Sequence, residues 1–576
     1  MLKNINKILK VLDTKQKKQF NILIFLMFFA MILETLGIGA IFPLINFFTN
    51  DLEALQNNYI INNFLQSFSI SNENILNLIL ISIAIIFVIK NLYMAIYNWL
   101  ESKFAYKVRM DIGVRLFSKY LNSPYTFHVE NNSSNLLTKV EQETSVYGVS
   151  LIYLSTLFTE ILVITGITLF LFLIRPLETL IVIFIGFFLS VIFYFPVKKI
   201  VSRLGKKRHF SHMEKIQNLN QGLGAIKDII IYKAQKNFIN TFKNSSDQLA
   251  DVAFKANFLG KLPKIWFEIT MMIILTSLIF YLSNLQYDTK TIMSTMGIFL
   301  VSSVRIIPSI NKILASLQHI KFSEPACDSL YSDLYLKNFS KDISTEKKLT
   351  FKNEIDFEDV SFFHPKNKKV ILKNVNLKIK KNEFVGIIGE TGSGKSTLVD
   401  LLIGLIQPTN GKIKSDGENI NEGMSSWRKK FGYVPQNLYL LDDTILKNIA
   451  FGKNNNEISL DNINKSLEQS QLTKFLKNQS NGIKTKVGER GVKISGGEKQ
   501  RIGISRALYN DPDILVFDEA TSALDLETEK KILSILFSLK SKKTIIFITH
   551  RKNSLEICDK IFKIENSQVT KVKNLP

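Results

Sequence analysis

The sequence predicts an all-α transmembrane region of six helices with long cytoplasmic extensions, followed by an α/β domain built on a phosphate-binding loop. Three observations predict this. Long apolar runs rich in Phe, Ile and Leu fill the chain up to about residue 315. From Phe351 onward, strand-like and helix-like segments alternate, which is the pattern of an α/β domain. Within that part, strand-like Phe384-Val-Gly-Ile-Ile388 runs into Gly389-Glu-Thr-Gly-Ser-Gly-Lys-Ser-Thr397 and then an apolar, helix-like stretch. A mean hydropathy of +0.11 alongside 21% charged residues fits two unlike halves. It excludes a wholly soluble enzyme, a disordered tail protein and a collagen-like fibre.

Six runs are long enough to cross a bilayer: about 20–48, 75–100, 149–174, 177–197, 262–284 and 291–313. The first is too long for a signal-peptide core and has no small-residue cleavage site, so it reads as a retained helix. Residues 1–18 carry Lys3, Lys7, Lys10, Lys15, Lys17 and Lys18, and 198–208 (KKIVSRLGKKR) carries six cations and no acid. The loop 49–74 holds Asp51, Glu53 and Glu73 and no Lys or Arg. By the positive-inside rule the N-terminus and the long connections after spans two and four are cytoplasmic. The net charge of +23 is thus mostly membrane topology, and no nucleic-acid partner is expected.

The connections 101–148 and 198–261 have helical periodicity, and the only proline in them is Pro124. Each reads as two helices that extend below the membrane and meet at a turn, near Pro124–His128 and Ala225–Lys233. The loop 49–74 has room for a small amphipathic helix using Leu52, Leu55, Tyr59, Phe64, Leu65 and Phe68. The domains are therefore a transmembrane domain over 1–325, a linker over 326–350 and an α/β domain over 351–576. Cys327 and Cys558 are too far apart in sequence to suggest a disulfide framework or a zinc site, and read as buried small apolar residues.

The chemistry lies in the second domain. A glycine-rich loop between strand and helix lets backbone N–H groups wrap phosphates, with the positive end of the helix behind them. Gly389, Glu390, Thr391, Gly392, Ser393, Gly394, Lys395, Ser396 and Thr397 form it, with Lys395 reaching the β/γ-phosphates and the Ser396 hydroxyl placed for Mg²⁺. Ile514-Leu-Val-Phe-Asp518 is a second buried strand. Asp518 at its end suits the metal, and Glu519 suits a base polarising the attacking water.

Ile494-Ser-Gly-Gly-Glu498, followed by Lys-Gln-Arg501, resembles the signature motif of ABC transporters. Tyr433-Val-Pro-Gln436 resembles the Q-loop, Ser522-Ala-Leu-Asp525 the D-loop and Ile548-Thr-His550-Arg the H-loop, all in the family's order. Ile494 and Glu498 stand where Leu and Gln are commoner. His364, in Val360-Ser-Phe-Phe-His-Pro365, falls where the adenine-stacking aromatic is usually Tyr, and either its imidazole or Phe363 would stack on the base. The resemblance implies two ATP molecules sandwiched between two such domains. Each would be bound by one copy's phosphate loop and by Ser495, Gly496, Gly497 and Glu498 of the other. Gln436 would hold Mg²⁺ and join in catalysis, and His550 would contact the γ-phosphate. One phosphate loop and one signature make this chain one half of a homodimer with twelve spans. The six spans, long extensions and C-terminal nucleotide domain resemble the exporter type, whose extension turns couple to the nucleotide domains.

A cation at mid-membrane costs roughly 2.5–3.5 kcal/mol, so Lys90, Lys264 and Arg305 each require a reason. Two present themselves: pairing with Glu34, Glu160 or Glu268, or a cationic lining for an anionic head group. Across its length the chain resembles PglK-type flippases of lipid-linked oligosaccharides, in Ile32-Leu-Glu34-Thr, Phe42-Pro43, the three cations and Pro308. That resemblance implies a polyprenyl pyrophosphate glycan, moved for protein glycosylation, with its phosphates against the cations. The alternatives are an exporter of lipid A-like lipids, peptides or drugs, and, more distantly, an ATP-gated channel.

Overall fold

The computed structural model describes residues 2–48, 72–336, 347–363, 369–520, 526–549 and 555–572. Two compact units emerge. One comprises Met1–Leu121 and Asn131–Asn338, the other Asn122–Glu130 and Phe339–Pro576.

Among its described residues the first unit has helices and no strand. Helix α1 (Leu2–Val11) is followed by α2 (Thr14–Gly39). Asp13 starts α2 as a capping box: its carboxylate accepts from Gln16 N at 2.7 Å, and Gln16 Oε1 accepts from Asp13 N at 3.1 Å. Sequence periodicity predicts one span over 20–48, but α2 stops at Gly39 and α3 (Phe42–Phe48) follows after a turn. Pro43 is the reason, since its ring and missing N–H favour the first turn of a helix over the interior. The long helices predicted by the connections are present as α4 (Asn72–Leu121), α8 (Pro176–Gly224) and α10 (Gln235–Asn284). At 1.5 Å per residue, α4 spans about 75 Å. Between them lie α5 (Tyr125–Glu130), α6 (Ser133–Thr138), α7 (Thr144–Ile174) and α9 (Ile226–Ile231). Helices α11 (Thr289–Phe322) and α12 (Glu324–Tyr331) complete the unit, so the first part of the expected linker is helical. The two expected turns are α5 and α9, and α5 groups with the second unit. Among the described residues six helical stretches are long and apolar enough to cross a membrane. The amphipathic helix expected in 49–74 lies outside the described residues.

Ile38, Val163, Ile167, Leu171, Leu278 and Phe299 form the core between α2, α7, α10 and α11. Helices α8 and α11 approach so closely at Gly205 that a Cβ there would lie 2.4 Å from the Phe322 carbonyl oxygen. Helix α1 is built into the unit. Ile8, Val11 and Leu12 are buried, Tyr147 donates to the Ile8 carbonyl at 2.8 Å, and Tyr335 donates to that of Val11 at 3.0 Å. Lys7 and Asp328 of α12 pair at 2.6 Å. Cys327 is fully buried beside this junction, and burial pushes its thiol up to about 12.

The second unit carries strands β1 (Glu354–Phe363), β2 (Val370–Lys380), β3 (Phe384–Gly389), β4 (Asn410–Ser415) and β5 (Glu418–Asn419). They are joined by β6 (Phe431–Val434), β7 (Ile514–Asp518), β8 (Thr544–Ile548), β9 (Lys560–Glu565) and β10 (Gln568–Val572). An antiparallel sheet runs β2-β1-β4-β5, and a mostly parallel sheet runs β10-β9-β3-β8-β7-β6. Helix α13 (Lys395–Ile403) follows β3 and packs Leu398, Leu401 and Leu402 into the core between the sheets. A helical portion is built from α15 (Ile445–Ile449), α16 (Leu460–Gln469), α17 (Thr473–Lys477) and α18 (Gly496–Leu508), after a short α14 (Met424–Arg428). Its core is Leu440, Ile445, Ile463, Leu472, Val487 and Ile502.

Candidate functional site

The ends of β3 and β7, two strands apart across β8, place the phosphate loop beside the acidic pair. Parallel sheets bind ligands at the carboxyl ends of their strands. Gly389 takes φ 157°, and a Cβ there would lie 2.6 Å from the Ile564 carbonyl oxygen, so only glycine lets the loop pass β9. Lys395 opens α13 and is largely buried. Its ammonium donates to the Gly389 and Glu390 carbonyls at 2.8 and 3.0 Å, and lies 3.7 Å from Glu519 Oε1. Gln436 Nε2 donates to Glu519 Oε2 at 2.8 Å. Glu519 holds φ 48°, a left-handed conformation uncommon for a residue with a side chain, and its N–H is anchored on the Ile548 carbonyl at 3.2 Å.

Burial pushes the Asp518 carboxyl above the ordinary aspartate range, and the Glu519 charge adds to this. Hydrogen bonds from Tyr433 and Ser396, and the Lys395 charge, pull the other way without cancelling it. Tyr433 donates to Asp518 at 3.2 Å. Asp400 on α13 is pushed up to about 6, first by burial and then by Asp518. Buried Asp518, with half-buried Glu519 and Asp400 beside it and the Lys395 ammonium close by, suits an anionic ligand that arrives with a cation.

Ser495 caps α18: its hydroxyl accepts from Glu498 N at 3.3 Å, and Glu498 Oε2 accepts from Ser495 N at 2.8 Å. Glu498, the departure from the commoner Gln, is thus the second half of a capping box. Nothing lies within 4 Å of a Cβ built on Gly496, so the signature's N-terminal face is open. Arg506, near the other end of α18, donates to the Asn448 carbonyl at 2.7 Å and the Tyr439 carbonyl at 2.9 Å, fixing α18 to the segment after Gln436. His364, the stretch 522–525 and His550 lie outside the described residues.

The membrane cations are placed differently from an open lining. Lys90 Nζ is 3.2 Å from Glu34, Arg305 bridges Glu34 at 3.1 Å and Glu160 at 3.0 Å, and Lys312 reaches Glu160 at 2.7 Å. Ser309 donates to Glu160 at 2.7 Å. Both glutamates are buried, and an unpaired carboxylate there would be costly, which is why the cations turn to them. Lys264 stands apart, exposed on α10, with Glu268 of the next turn 3.8 Å away. Lys312 is absent from the sequence reading because it lies at the very end of the predicted span. Its spacing from Arg305 and Ser309 puts it on their helix face and was the available signal.

A phosphate-binding loop, an acidic strand end, a bridging glutamine and a capped signature helix, attached to six membrane-crossing helices, define the half-subunit of an ATP-driven exporter. Residues 372–522 match the family described as ABC transporter, and residues 36–304 match the ABC transporter transmembrane region. Relatives named ATP-dependent lipid A-core flippase include those of Blochmanniella pennsylvanica (30% identical; 80% of this chain, 79% of that one) and Wigglesworthia glossinidia brevipalpis (30%; 81% and 80%). That of Pectobacterium atrosepticum is 29% identical over 80% of this chain and 79% of its own. A solved structure titled as a bacterial Atm1-family ABC exporter with ATP bound has the same fold, with a TM-score of 0.78, 20% identity and coverage of 94% and 93%.

The chain belongs to the ABC transporters, as an exporter-type half-transporter. It is a multi-pass membrane protein that binds ATP, hydrolyses it in support of transport, and works as a dimer.

Proposed function

We propose that two copies of this chain form an exporter that uses Mg-ATP to flip an amphipathic lipid with a phosphate-bearing head. The observation that carries the lipid reading is a cavity of about 530 Å³ between α7, α8, α10 and α11, whose lining has no charged side chain. Leu171, Ile183, Phe187, Met271 and Ile310 are among the residues that line it. The relatives' printed names favour a lipid A-like cargo over the lipid-linked oligosaccharide expected from the PglK-type resemblance. The positive-inside bias supports an inner-membrane protein with its N-terminus and nucleotide domain in the cytoplasm.

Ser396, Gln436 and Asp518 offer a hydroxyl, an amide and a carboxylate oxygen, the hard donors that Mg²⁺ takes. The ion fits there, where it would offset phosphate charge. Lys395 releases its loop carbonyls to hold the β/γ-phosphates. Glu519, positioned by Gln436, takes a proton from the attacking water. Ser495, Gly496 and Gly497 of the second copy close over the γ-phosphate with the N–H groups of α18. By the family resemblance, His550 would complete the γ-phosphate contacts, and His364 or Phe363 would stack on the base. In proteoliposomes with Mg-ATP, lipid A-core should stimulate hydrolysis and change leaflet, whereas hydrophobic peptides should do neither. Movement of a polyprenyl pyrophosphate glycan instead would restore the oligosaccharide reading.

A further inference from the structure

The carboxyl end of β6 carries two donors that meet two neighbouring carboxylates. Strand β6 lies at the edge of the parallel sheet and pairs with β7, with Tyr433 opposite Val516. Side chains alternate between the faces of a strand, so Val516 and Asp518 share the face on which Tyr433 stands. The Tyr433 ring packs against the core between the two sheets. A phenol is long enough to reach the residue two places beyond the one opposite, and its hydroxyl donates to Asp518 at 3.2 Å. Three residues on, Gln436 donates to Glu519 at 2.8 Å. One short segment thus holds both members of the acidic pair. Burial raises the Tyr433 phenol above its ordinary range, and the Asp518 and Asp400 charges add to this. The hydroxyl therefore keeps its proton and stays a donor.

We propose that Tyr433 is a positioning residue for the nucleotide-bound metal, its hydroxyl fixing the Asp518 carboxylate in the orientation that receives Mg²⁺. This rests on the proposed place of Asp518 among the Mg²⁺ donors. A carboxylate can turn about the bond that carries it, and a hydrogen bond to one oxygen settles that turn before the metal arrives. Ser396 also hydrogen-bonds Asp518, but it is itself a candidate metal donor, whereas Tyr433 acts on the metal through Asp518. Gln436 does the matching task for Glu519. Phenylalanine at 433 would fill the same space without the donor, leaving a carboxylate oxygen beside an apolar ring edge. Outer-shell partners of this kind are worth about 10–100-fold in metal affinity.

Tyr433→Phe, Asp518→Asn and the double variant test this in the full-length protein in detergent. Mn²⁺, a paramagnetic substitute for Mg²⁺, is titrated into protein saturated with the non-hydrolysable nucleotide AMP-PNP, and bound ion is followed by electron paramagnetic resonance. Binding of AMP-PNP in EDTA is measured beside it. Tyr433→Phe should weaken Mn²⁺ binding about 10–100-fold and leave metal-free nucleotide binding as in wild type. The Mg²⁺ concentration for half-maximal hydrolysis should rise by a similar factor. In the Asp518→Asn background the same substitution should add little, because residues that act through one another are not additive. Unchanged Mn²⁺ binding in Tyr433→Phe beside weakened binding in Asp518→Asn overturns the role of Tyr433 and leaves the metal site standing. Unchanged binding in both overturns the metal site and this role with it. Equal loss of AMP-PNP binding with and without metal in Tyr433→Phe would assign the ring to packing and overturn the role, as would a full second loss in the double variant.

Discussion

Replacing Lys90 and Arg305 together by glutamine separates a structural from a substrate-binding role for the membrane cations. Glu34 is held by Lys90 at 3.2 Å and by Arg305 at 3.1 Å, and Glu160 by Arg305 at 3.0 Å and Lys312 at 2.7 Å. Either single substitution leaves each carboxylate at least one cation and should cost about 1.5–3 kcal/mol, the worth of a hydrogen bond to a charged group. The double variant strips Glu34 of both partners while Glu160 keeps Lys312. The Glu34 side chain is only 7% exposed, so stranding it should cost about 3–5 kcal/mol. Adding Glu34→Gln removes the stranded charge and should restore most of that stability, since neutral amides are cheaper in a membrane than unpaired ions. Unfolding in detergent gives the stabilities, and lipid movement in liposomes gives the function. A double variant as stable as wild type, or a triple variant no more stable than the double, would refute the pairing argument. If the stable triple variant moves lipid at the wild-type rate, Lys90 and Arg305 take no part in cargo binding.

Three further outcomes are expected. Glu519→Gln should bind ATP normally but release phosphate about 10²–10⁴-fold more slowly, about 2.7–5.5 kcal/mol of barrier, as nucleotide binding beside single-turnover hydrolysis would show. Gly205→Ala drives a methyl into the Phe322 carbonyl 2.4 Å away and should cost about 1–3 kcal/mol in thermal unfolding, against no loss for Gly186→Ala, which meets open space. Burial raises the Asp416 carboxyl, but hydrogen bonds from the Lys352, Glu354 and Asn353 backbone outweigh it and hold it below the ordinary range. A depressed carboxyl stabilises the fold above its unfolded value of about 3.9 and loses that contribution as pH falls through the folded value. Unfolding curves of wild type and Asp416→Asn should therefore differ most near neutrality and converge in acid.

The nucleotide site was largely legible because its chemistry is local. The loop 389–397, Asp518 with Glu519, and Ser495 are short runs whose neighbours in sequence are also their neighbours in space. The membrane helices were legible for a similar reason, since hydropathy alone decides them. What the sequence hid depends on partners far along the chain. Glu34 and Arg305 are 271 positions apart in sequence, and only the packing of α2, α4, α7 and α11 shows that the charges answer one another. Glu498 looked like a departure from the signature until the capping geometry gave the carboxylate its own hydrogen bond. Tyr433 was legible only as the first residue of the Q-loop-like run and Asp400 only as a helix residue, yet both border Asp518. The break at residues 40–41 was written in Pro43, but the apolar run across it masked the signal.

The seating of α1 bears on how the chain is made. The hydrogen bond between Val11 and Tyr335 joins positions 324 residues apart, so the ribosome must extend the chain that far before the bond can form. At 5–20 residues per second the wait is roughly 16–65 s. Throughout it Ile8, Val11 and Leu12, buried in the finished unit, have no α12 to lie against. Lys7 and Lys10 beside them keep the segment at the water boundary, and the lipid surface is the nearest place for its apolar face to rest. Helix α1, made long before the elements it docks on, is thus among the last to be seated, and its docking reports that the membrane unit has been completed.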